Sequence, residues 1–328
     1  MDTSKPKTIN WGIIGLGKIA HKFAQDLNAI ENVQLYAVAS RNQDIATDFA
    51  NRYNAKRAYG DYNSLALDPN IDAVYIATPH VFHKANSILC LNQKKAVLCE
   101  KPFAMNGNEV EDMITAAQTN NVLLMEALWT YFLPHYQFVL KQVREKTFGE
   151  IQKLEVDFGF KPEMDMASRL FNKSLGGGSL LDIGIYPIFA ALSTLGEPIK
   201  IESTATFLEN GIDTSCQMLF TYKHGTTAQL KSTLMEQIPT EAIFYCDKGI
   251  IKINSYFNEP SNVTLIEDGK TTTFDFDNTT NGFSFEIVHF NELIRQQKTE
   301  SDIMTFDFSR KLMHLLDTVR SQIGLNYE

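Results

Sequence analysis

The sequence predicts an α/β protein of two domains, with a doubly wound parallel sheet in residues 1–126 and an α+β domain in residues 127–328. Up to residue 126, short apolar segments alternate with segments of helical periodicity, which is typical of parallel strands covered by helices on both faces. Beyond it, segments of alternating apolar and polar residues flank turn sequences, which is typical of a large, mainly antiparallel, open sheet.

The first domain enters a strand almost at once, and strands and helices then alternate. The predicted strands cover residues 9–14, 33–39, 73–77, 96–99 and 122–125. The predicted helices cover residues 18–29, 44–53, 81–91 and 109–119. In the first helix, Ile19, Phe23 and Leu27 lie on one face, as expected of a helix packed on a sheet.

The second domain opens its sheet with a strand at residues 151–160, where Leu154 and Val156 alternate with Glu155 and Asp157. Turn sequences between strand pairs are YKHGT at 222–226, CDKGI at 246–250 and EDGKT at 267–271. Helices are predicted at 285–297 and 306–322. The alternation predicts a sheet with one face covered by helices and the other open.

Composition excludes several classes of partner. The formal net charge is -9, from 30 Lys and Arg against 39 Asp and Glu, which argues against nucleic acid or an anionic membrane as the main partner. The N-terminus lacks the apolar core of a secretory signal, and we expect no membrane span. The 4 cysteines form no C-x-x-C pair, so we expect reduced thiols in a cytoplasmic protein.

A glycine-rich turn follows the first strand, with the sequence GLGKIA. Gly15 permits a tight turn, Gly17 lets a pyrophosphate approach the backbone, and Ala20 permits close packing of helix and strand. The helix that begins at Lys18 and Ile19 then directs N–H groups at the phosphates. Because a strand precedes the motif and a helix follows it, the sequence predicts a dinucleotide site formed by these residues.

The second strand ends in Ser40 and Arg41, where an NAD-binding protein usually has an acidic residue for the ribose 2′-hydroxyl. A hydroxyl and a guanidinium are suited to a 2′-phosphate, so NADP is predicted and NAD is less favoured. The alternative is that Arg41 only ends a strand at the surface.

Two further segments have the residues needed to oxidise an alcohol. In VLCEKPFAM, Lys101 follows the end of a buried strand, which points it toward the ligand crevice of a parallel sheet. In GGGSLLDIGIYPI, Asp182 and Tyr186 are four residues apart on one predicted helical face. A lysine at roughly 4 Å favours the phenolate by about 4 kcal/mol, which makes tyrosine a usable base at neutral pH. The alternative is a surface lysine, with Tyr186 in the core and Asp182 as a helix-start acid.

The ordered motifs GLGKIA, ASR, ATPHVFH, EKP and GGGSLLDIGIYP resemble those of the Gfo/Idh/MocA oxidoreductases. The similarity is greatest to the branch with dimeric dihydrodiol dehydrogenases and NADP-dependent D-xylose dehydrogenases. The resemblance implies a Rossmann domain, an α+β domain, and Lys101, Asp182 and Tyr186 as catalytic residues. It also implies a homodimer or larger homo-oligomer formed through the open sheet face.

The resemblance extends to further binding residues. Cofactor-binding candidates past the first two strands are Thr78, Pro79, His80, His83, Glu100 and Lys101. Substrate-pocket candidates are Trp129, Phe160 and Arg169. The H-x-x-H of His80 and His83 is not interpreted as a metal site, because no third ligand cluster accompanies it.

The sequence thus predicts an NADP-dependent dehydrogenase that acts on a hydroxyl of a sugar, such as the aldose D-xylose, or of a cyclic trans-diol. One alternative is a non-catalytic dinucleotide-binding regulator on the same scaffold, which would not need the lysine, aspartate and tyrosine. Another is a redox-assisted glycosidase with retained NAD.

Overall fold

The computed structural model describes residues 7–327, which form two compact units. The first unit comprises the chain up to Trp129 together with Thr279–Ser309. The second comprises Thr130–Asn278 and the chain from Arg310. Nothing in the sequence pattern indicated that Thr279–Ser309 returns to the first unit.

The first unit contains a parallel sheet of 6 strands in the order β3-β2-β1-β4-β5-β6. The strands are β1 Ile9–Ile14, β2 Val33–Ala39, β3 Arg57–Tyr59, β4 Ala73–Ile76, β5 Ala96–Glu100 and β6 Leu124–Ala127. The helices between them are α1 Lys18–Asn28, α2 Gln43–Tyr53, α3 Tyr62–Leu67, α4 His83–Asn92 and α5 Gly107–Asn120. The strand order reverses direction between β1 and β4, and ligands of such sheets bind at the carboxyl ends beside that reversal.

The predicted parallel sheet is confirmed, and the predicted strands and helices of this unit are all present. The prediction missed β3, which has 3 residues, and α3, which has 6. Both are too short for a period of two or of 3.6 residues to be visible in the sequence.

The second unit contains a sheet of 8 strands in the order β14-β13-β12-β11-β7-β10-β9-β8, antiparallel except for the pair β7 and β10. The strands are β7 Ile151–Gly159, β8 Lys200–Phe207, β9 Asp213–Thr221, β10 Thr227–Thr233, β11 Ala242–Cys246, β12 Gly249–Ile253, β13 Val263–Glu267 and β14 Lys270–Phe274. The accompanying helices are α6 Pro134–Arg144 and α7 Ile185–Leu195. The last two helices of the chain are α8 Ser284–Arg295, in the first unit, and α9 Phe306–Ile323, which continues into the second.

Helix α7 packs against β7 and β10 and covers one face of this sheet. Leu154, Val156 and Leu230 are buried on that side, whereas Glu155 and Lys231 keep partial exposure on the other. The predicted one-sided sheet is therefore confirmed.

One segment of the described residues, Lys173–Leu195, is long and apolar enough to be a candidate membrane span, with a mean hydropathy of 1.5. In the structure, 94% of its most apolar window is buried inside the protein. Core helices pass the same test, so this segment is weak evidence for a membrane span.

The returning segment of the first unit is fixed by Asp26, a buried residue of α1. The Asp26 carboxylate accepts hydrogen bonds from the main-chain N–H groups of Phe283 at 2.8 Å and Ser284 at 3.2 Å, and from Asn281 at 2.9 Å. Helix α8 has no side-chain cap from its own N-cap residue, Phe283, so Asp26 supplies the acceptor from α1.

We expect Asp26→Ala to loosen α8 because the substitution leaves buried N–H groups without acceptors. A loss of about 3 kcal/mol in the local opening free energy would accelerate amide exchange roughly 100-fold. Hydrogen-exchange mass spectrometry of peptides that cover Ser284–Arg295 measures this rate. The matched control is Asp48→Ala, which removes an exposed carboxylate from α2. Equal exchange in the two variants would contradict the capping role.

Candidate active site

The turn between β1 and α1 is shaped for a phosphate group. Gly15 has φ +90, and a Cβ on it would lie 2.7 Å from the carbonyl atoms of Ala77. A Cβ on Gly17 would meet no atom of the described part of the chain within 4 Å, so the space in front of this backbone is open there. Helix α1 has no side-chain cap and no acidic residue in its first turn, which leaves its N-terminal N–H groups available to an anion. These features fit the pyrophosphate of a dinucleotide.

At the end of β2, the Ser40 hydroxyl accepts a hydrogen bond from the Asn42 N–H at 3.2 Å. Arg41 is exposed, and its guanidinium lies over the ring of Phe82, 5.8 Å from the ring centroid. Neither residue is an acid that would bind a ribose 2′-hydroxyl, and a cation at this point suits a 2′-phosphate.

The segment after β4 connects Thr78 to a buried histidine. His83 is fully buried, with Nε2 2.8 Å from the Thr78 carbonyl oxygen and Nδ1 2.9 Å from the Pro102 carbonyl oxygen. Burial lowers the pKa of His83 to about 4, so the ring is neutral and donates to one of these carbonyls at a time. His83 therefore links the Thr78 segment to the Pro102 segment. Pro79 precedes a short 3-10 turn, in which His80 is buried as well.

The loop after β5, which carries the half-buried Lys101, is held by two buried carboxylates. Glu100 accepts hydrogen bonds from the Tyr75 hydroxyl and from the Lys101 N–H, the latter at 3.2 Å. On β6, Glu126 accepts from the Phe103 N–H at 3.0 Å and from the Ser309 hydroxyl at 2.7 Å. Burial raises the pKa of Glu126 to about 7. The peptide bond between Lys101 and Pro102 is cis.

In the second unit, Asp182 and Tyr186 lie where a π-helical turn, Leu180–Gly184, leads into α7. The predicted helix is present, but its first turn is π-helical rather than α-helical. Pro187 has no N–H for the carbonyl four residues earlier, and its ring would crowd that carbonyl in an α-helix. A wider π turn avoids this contact, and such turns are frequent at functional sites.

The start of this π turn is anchored by Asp213, the first residue of β9. The buried Asp213 carboxylate accepts a hydrogen bond from the Leu180 N–H at 2.6 Å. Gly178 has φ +124, and a Cβ on it would lie 2.1 Å from Asp213 Oδ1. The close approach of this carboxylate thus requires a glycine at position 178, at the entrance to α7.

Polar and aromatic side chains lie side by side around Tyr186. Arg169 donates a hydrogen bond to Asp182 at 3.0 Å and forms an ion pair with it. The Tyr186 ring contacts Phe158, with centroids 5.4 Å apart, and Phe160 packs in the adjoining hydrophobic cluster. The structure therefore brings four of the predicted residues into one neighbourhood of the second unit.

Two family models match the chain. Residues 9–128 match the oxidoreductase family with an NAD-binding Rossmann fold, and residues 136–252 match the Gfo/Idh/MocA C-terminal domain. The chain belongs to the Gfo/Idh/MocA oxidoreductase family. This membership confirms the resemblance inferred from the ordered motifs.

Curated Gfo/Idh/MocA-type relatives match over nearly the whole length. The chain is 35% identical to the trans-1,2-dihydrobenzene-1,2-diol dehydrogenase of Xenopus tropicalis, covering 97% of this chain and 98% of the relative. It is 32% identical to an NADP(+) scyllo-inositol 2-dehydrogenase of Bacillus subtilis (strain 168), with coverage of 97% and 98%.

A solved structure is similar as well. The 3-ketoreductase of Actinomadura kijaniata, in complex with NADP and TDP-benzene, matches with a TM-score of 0.89 at 26% identity, covering 97% of this chain and 98% of that one. The same ketoreductase has been solved with a lysine replaced by alanine and with a tyrosine replaced by phenylalanine. This Gfo/Idh/MocA protein is a dehydrogenase that acts on CH–OH donors with NADP as cofactor.

Of the remaining predicted residues, Trp129 is buried and stacks on Phe283, with ring centroids 4.4 Å apart. The described residues contain no group of three or more His, Cys, Asp or Glu side chains placed to hold a metal ion. Sequence reasoning missed Asp213, because an acid at the start of a strand looks like an ordinary turn residue. Its signal in the sequence was Gly178, where a side chain would clash with a close neighbour.

We expect the Asp213 carboxyl to make the stability of the protein depend on pH. Burial raises its pKa to about 7, against about 3.9 for a free aspartate. Its contribution to stability is therefore complete below about pH 4 and is lost as the pH rises through about 7. The difference between the unfolding free energies of Asp213→Asn and the parent should rise by up to about 4 kcal/mol between pH 4 and pH 8.

Urea denaturation across this pH range measures the difference. The control is Asp268→Asn, which changes an exposed residue in a turn with φ 48 that asparagine accepts readily. A difference for Asp213→Asn that does not change with pH would contradict a raised pKa.

Proposed function

We propose that the protein oxidises a hydroxyl of a sugar or of a cyclic trans-diol with NADP; in its most concrete form, the proposal is that an aldose is oxidised at its anomeric carbon to a lactone. The observation that carries the proposal is the neighbourhood of Tyr186. An ion pair of Asp182 and Arg169 offers hydrogen bonds to hydroxyl groups, while Phe158 and Phe160 offer an apolar surface. Sugars and cyclic diols have hydroxyl edges and apolar ring faces.

In the proposed reaction, NADP supplies a nicotinamide ring that takes the hydride from the carbinol carbon. The Tyr186 oxygen takes the hydroxyl proton, and the C–O bond becomes a carbonyl. The Lys101 ammonium favours the phenolate form of Tyr186 and so lowers the pKa at which it acts as a base. Asp182, held by Arg169, orients the substrate. In the reverse direction Tyr186 returns the proton.

Two further findings support this assignment. The two curated relatives are named for a cyclic diol and a cyclic polyol, both of which carry neighbouring hydroxyls on a six-membered ring. The ketoreductase variants changed a lysine and a tyrosine, which are the residue types that we assign to catalysis.

We further propose a cytoplasmic homodimer or larger homo-oligomer that associates through the open face of the second unit's sheet. Leu219 and Ile243 lie on this face, half-buried, among the polar side chains of Gln217, Gln229 and Glu155. Apolar side chains with a polar surround are typical of the core and rim of an interface. All 4 cysteines are free thiols, which agrees with a reducing compartment.

Tyr186→Phe tests the catalytic assignment. The variant keeps the ring and loses the hydroxyl, so kcat for sugar or diol oxidation should fall about 10²–10⁴-fold while the Kd for NADP stays unchanged. Steady-state NADPH formation and a cofactor titration measure the two quantities. The matched control is Tyr222→Phe, since the buried Tyr222 hydroxyl has no hydrogen-bond partner within residues 7–327. Unchanged turnover in Tyr186→Phe would refute the proposed role.

Lys101→Met separates the lysine's electrostatic role from a merely structural one. Without the ammonium, the residual activity should require a higher pH, and the rising limb of the pH–rate profile should move to alkaline pH. An unshifted limb would show that Lys101 does not act on the base.

Light scattering coupled to size-exclusion chromatography tests the proposed assembly. The parent protein should elute at two or more times the mass of one chain, and Leu219→Glu with Ile243→Glu should elute as single chains, because four or more carboxylates would be buried together. Leu67→Glu, which changes an exposed leucine of the first unit, is the control. A single-chain parent would contradict the proposal.

A further inference from the structure

Arg41 is held by two side chains that sequence reasoning did not consider. Its guanidinium lies 5.8 Å from the ring centroid of Phe82, which is within the range of a cation–π interaction. Tyr62, the first residue of α3, is a second neighbour: burial raises the pKa of its phenol, and the Arg41 charge and a hydrogen bond with the Arg41 side chain act against that rise. Phe82 comes from the 3-10 turn after β4, so two different segments converge on one guanidinium.

The two side chains that adjoin Arg41, Phe82 and Tyr62, carry no negative charge. Within residues 7–327, no carboxylate forms an ion pair with Arg41. An aromatic face and a phenol orient the guanidinium without neutralising it, so its charge remains available for an anion. An exposed arginine that ended the strand by chance would need no such partners.

Phe82 is itself unusual, since 37% of this phenylalanine is exposed. It lies next to the carboxyl end of β4, beside the reversal of strand order where ligands of such sheets bind. An exposed phenylalanine ring is unfavourable in water, and the contact with the Arg41 guanidinium accounts for its position.

We propose that Phe82 and Tyr62 hold the Arg41 guanidinium in position for the 2′-phosphate of NADP, and that they thereby set the preference for NADP over NAD. The proposal rests on the assignment of Arg41 to the cofactor site. A long arginine side chain that is already ordered loses less conformational freedom on binding, and the gain applies only to a ligand that carries the 2′-phosphate.

Calorimetric titration with 2′,5′-ADP and 5′-AMP tests the proposal without catalysis, because the two ligands differ only in the 2′-phosphate. Phe82→Leu should weaken 2′,5′-ADP about 3-fold to 10-fold and leave 5′-AMP unchanged. Tyr62→Phe should act in the same direction, and Phe82→Trp, which keeps an aromatic face, should restore tight binding. Ile45→Ala, an exposed apolar residue of α2, should change neither affinity.

Arg41→Ala separates the role of Arg41 at the cofactor site from the roles of Phe82 and Tyr62 in positioning it. It should abolish the advantage of 2′,5′-ADP, and in that background Phe82→Leu should have no further effect. Discrimination that survives Arg41→Ala would overturn the assignment of Arg41 and the inference with it. If Arg41→Ala removes discrimination but Phe82→Leu weakens both ligands equally, Phe82 contacts the nucleoside itself, and only the inference fails.

Discussion

The loops that carry the proposed catalytic residues depend on buried carboxylates that accept hydrogen bonds from main-chain N–H groups. Glu126 binds the N–H of Phe103 beside Lys101, and Asp213 binds the N–H of Leu180 at the entrance to Tyr186. Buried N–H groups require acceptors, and a loop has none from regular secondary structure. The carboxylates meet that requirement and at the same time fix where each loop runs.

In these loops, the energy cost of burying a carboxylate is set against the stability that its hydrogen bonds give. Burial raises the pKa of both Glu126 and Asp213 to about 7, so each acid is ionised in the fold only at a cost. In exchange, side chains of rigid strands, rather than other loops, hold the segments beside Lys101 and Tyr186. Reacting groups gain rate from such fixed placement, because their ordering does not have to be supplied during the reaction.

Sequence patterns were sufficient for the parallel sheet, the tight glycine turn between β1 and α1, and the one-sided sheet, since each rests on local periodicity or on a motif within a few residues. They were insufficient where geometry depends on contacts between distant residues. The π turn before α7 follows from Pro187, which cannot pair with the carbonyl four residues earlier. The Asp213 carboxylate that binds the Leu180 N–H comes from a strand that begins 33 residues later. Arg169 and Phe160 were named by resemblance, but only the folded structure places them with Asp182 and Tyr186.

The hydrogen bond from Phe283 to Asp26 joins residues 257 positions apart. During translation, α1 and the first sheet leave the ribosome long before Thr279–Ser309, the segment that completes their unit, has been synthesised. Until then, Trp11 lacks the ring of Phe290, and Trp129 lacks the ring of Phe283. The nascent cofactor domain is exposed to chaperones and to wrong pairings while the whole second sheet is translated. Because the chain is made from its N-terminus, the first unit can reach its native structure only after its late segment, Thr279–Ser309, has been synthesised.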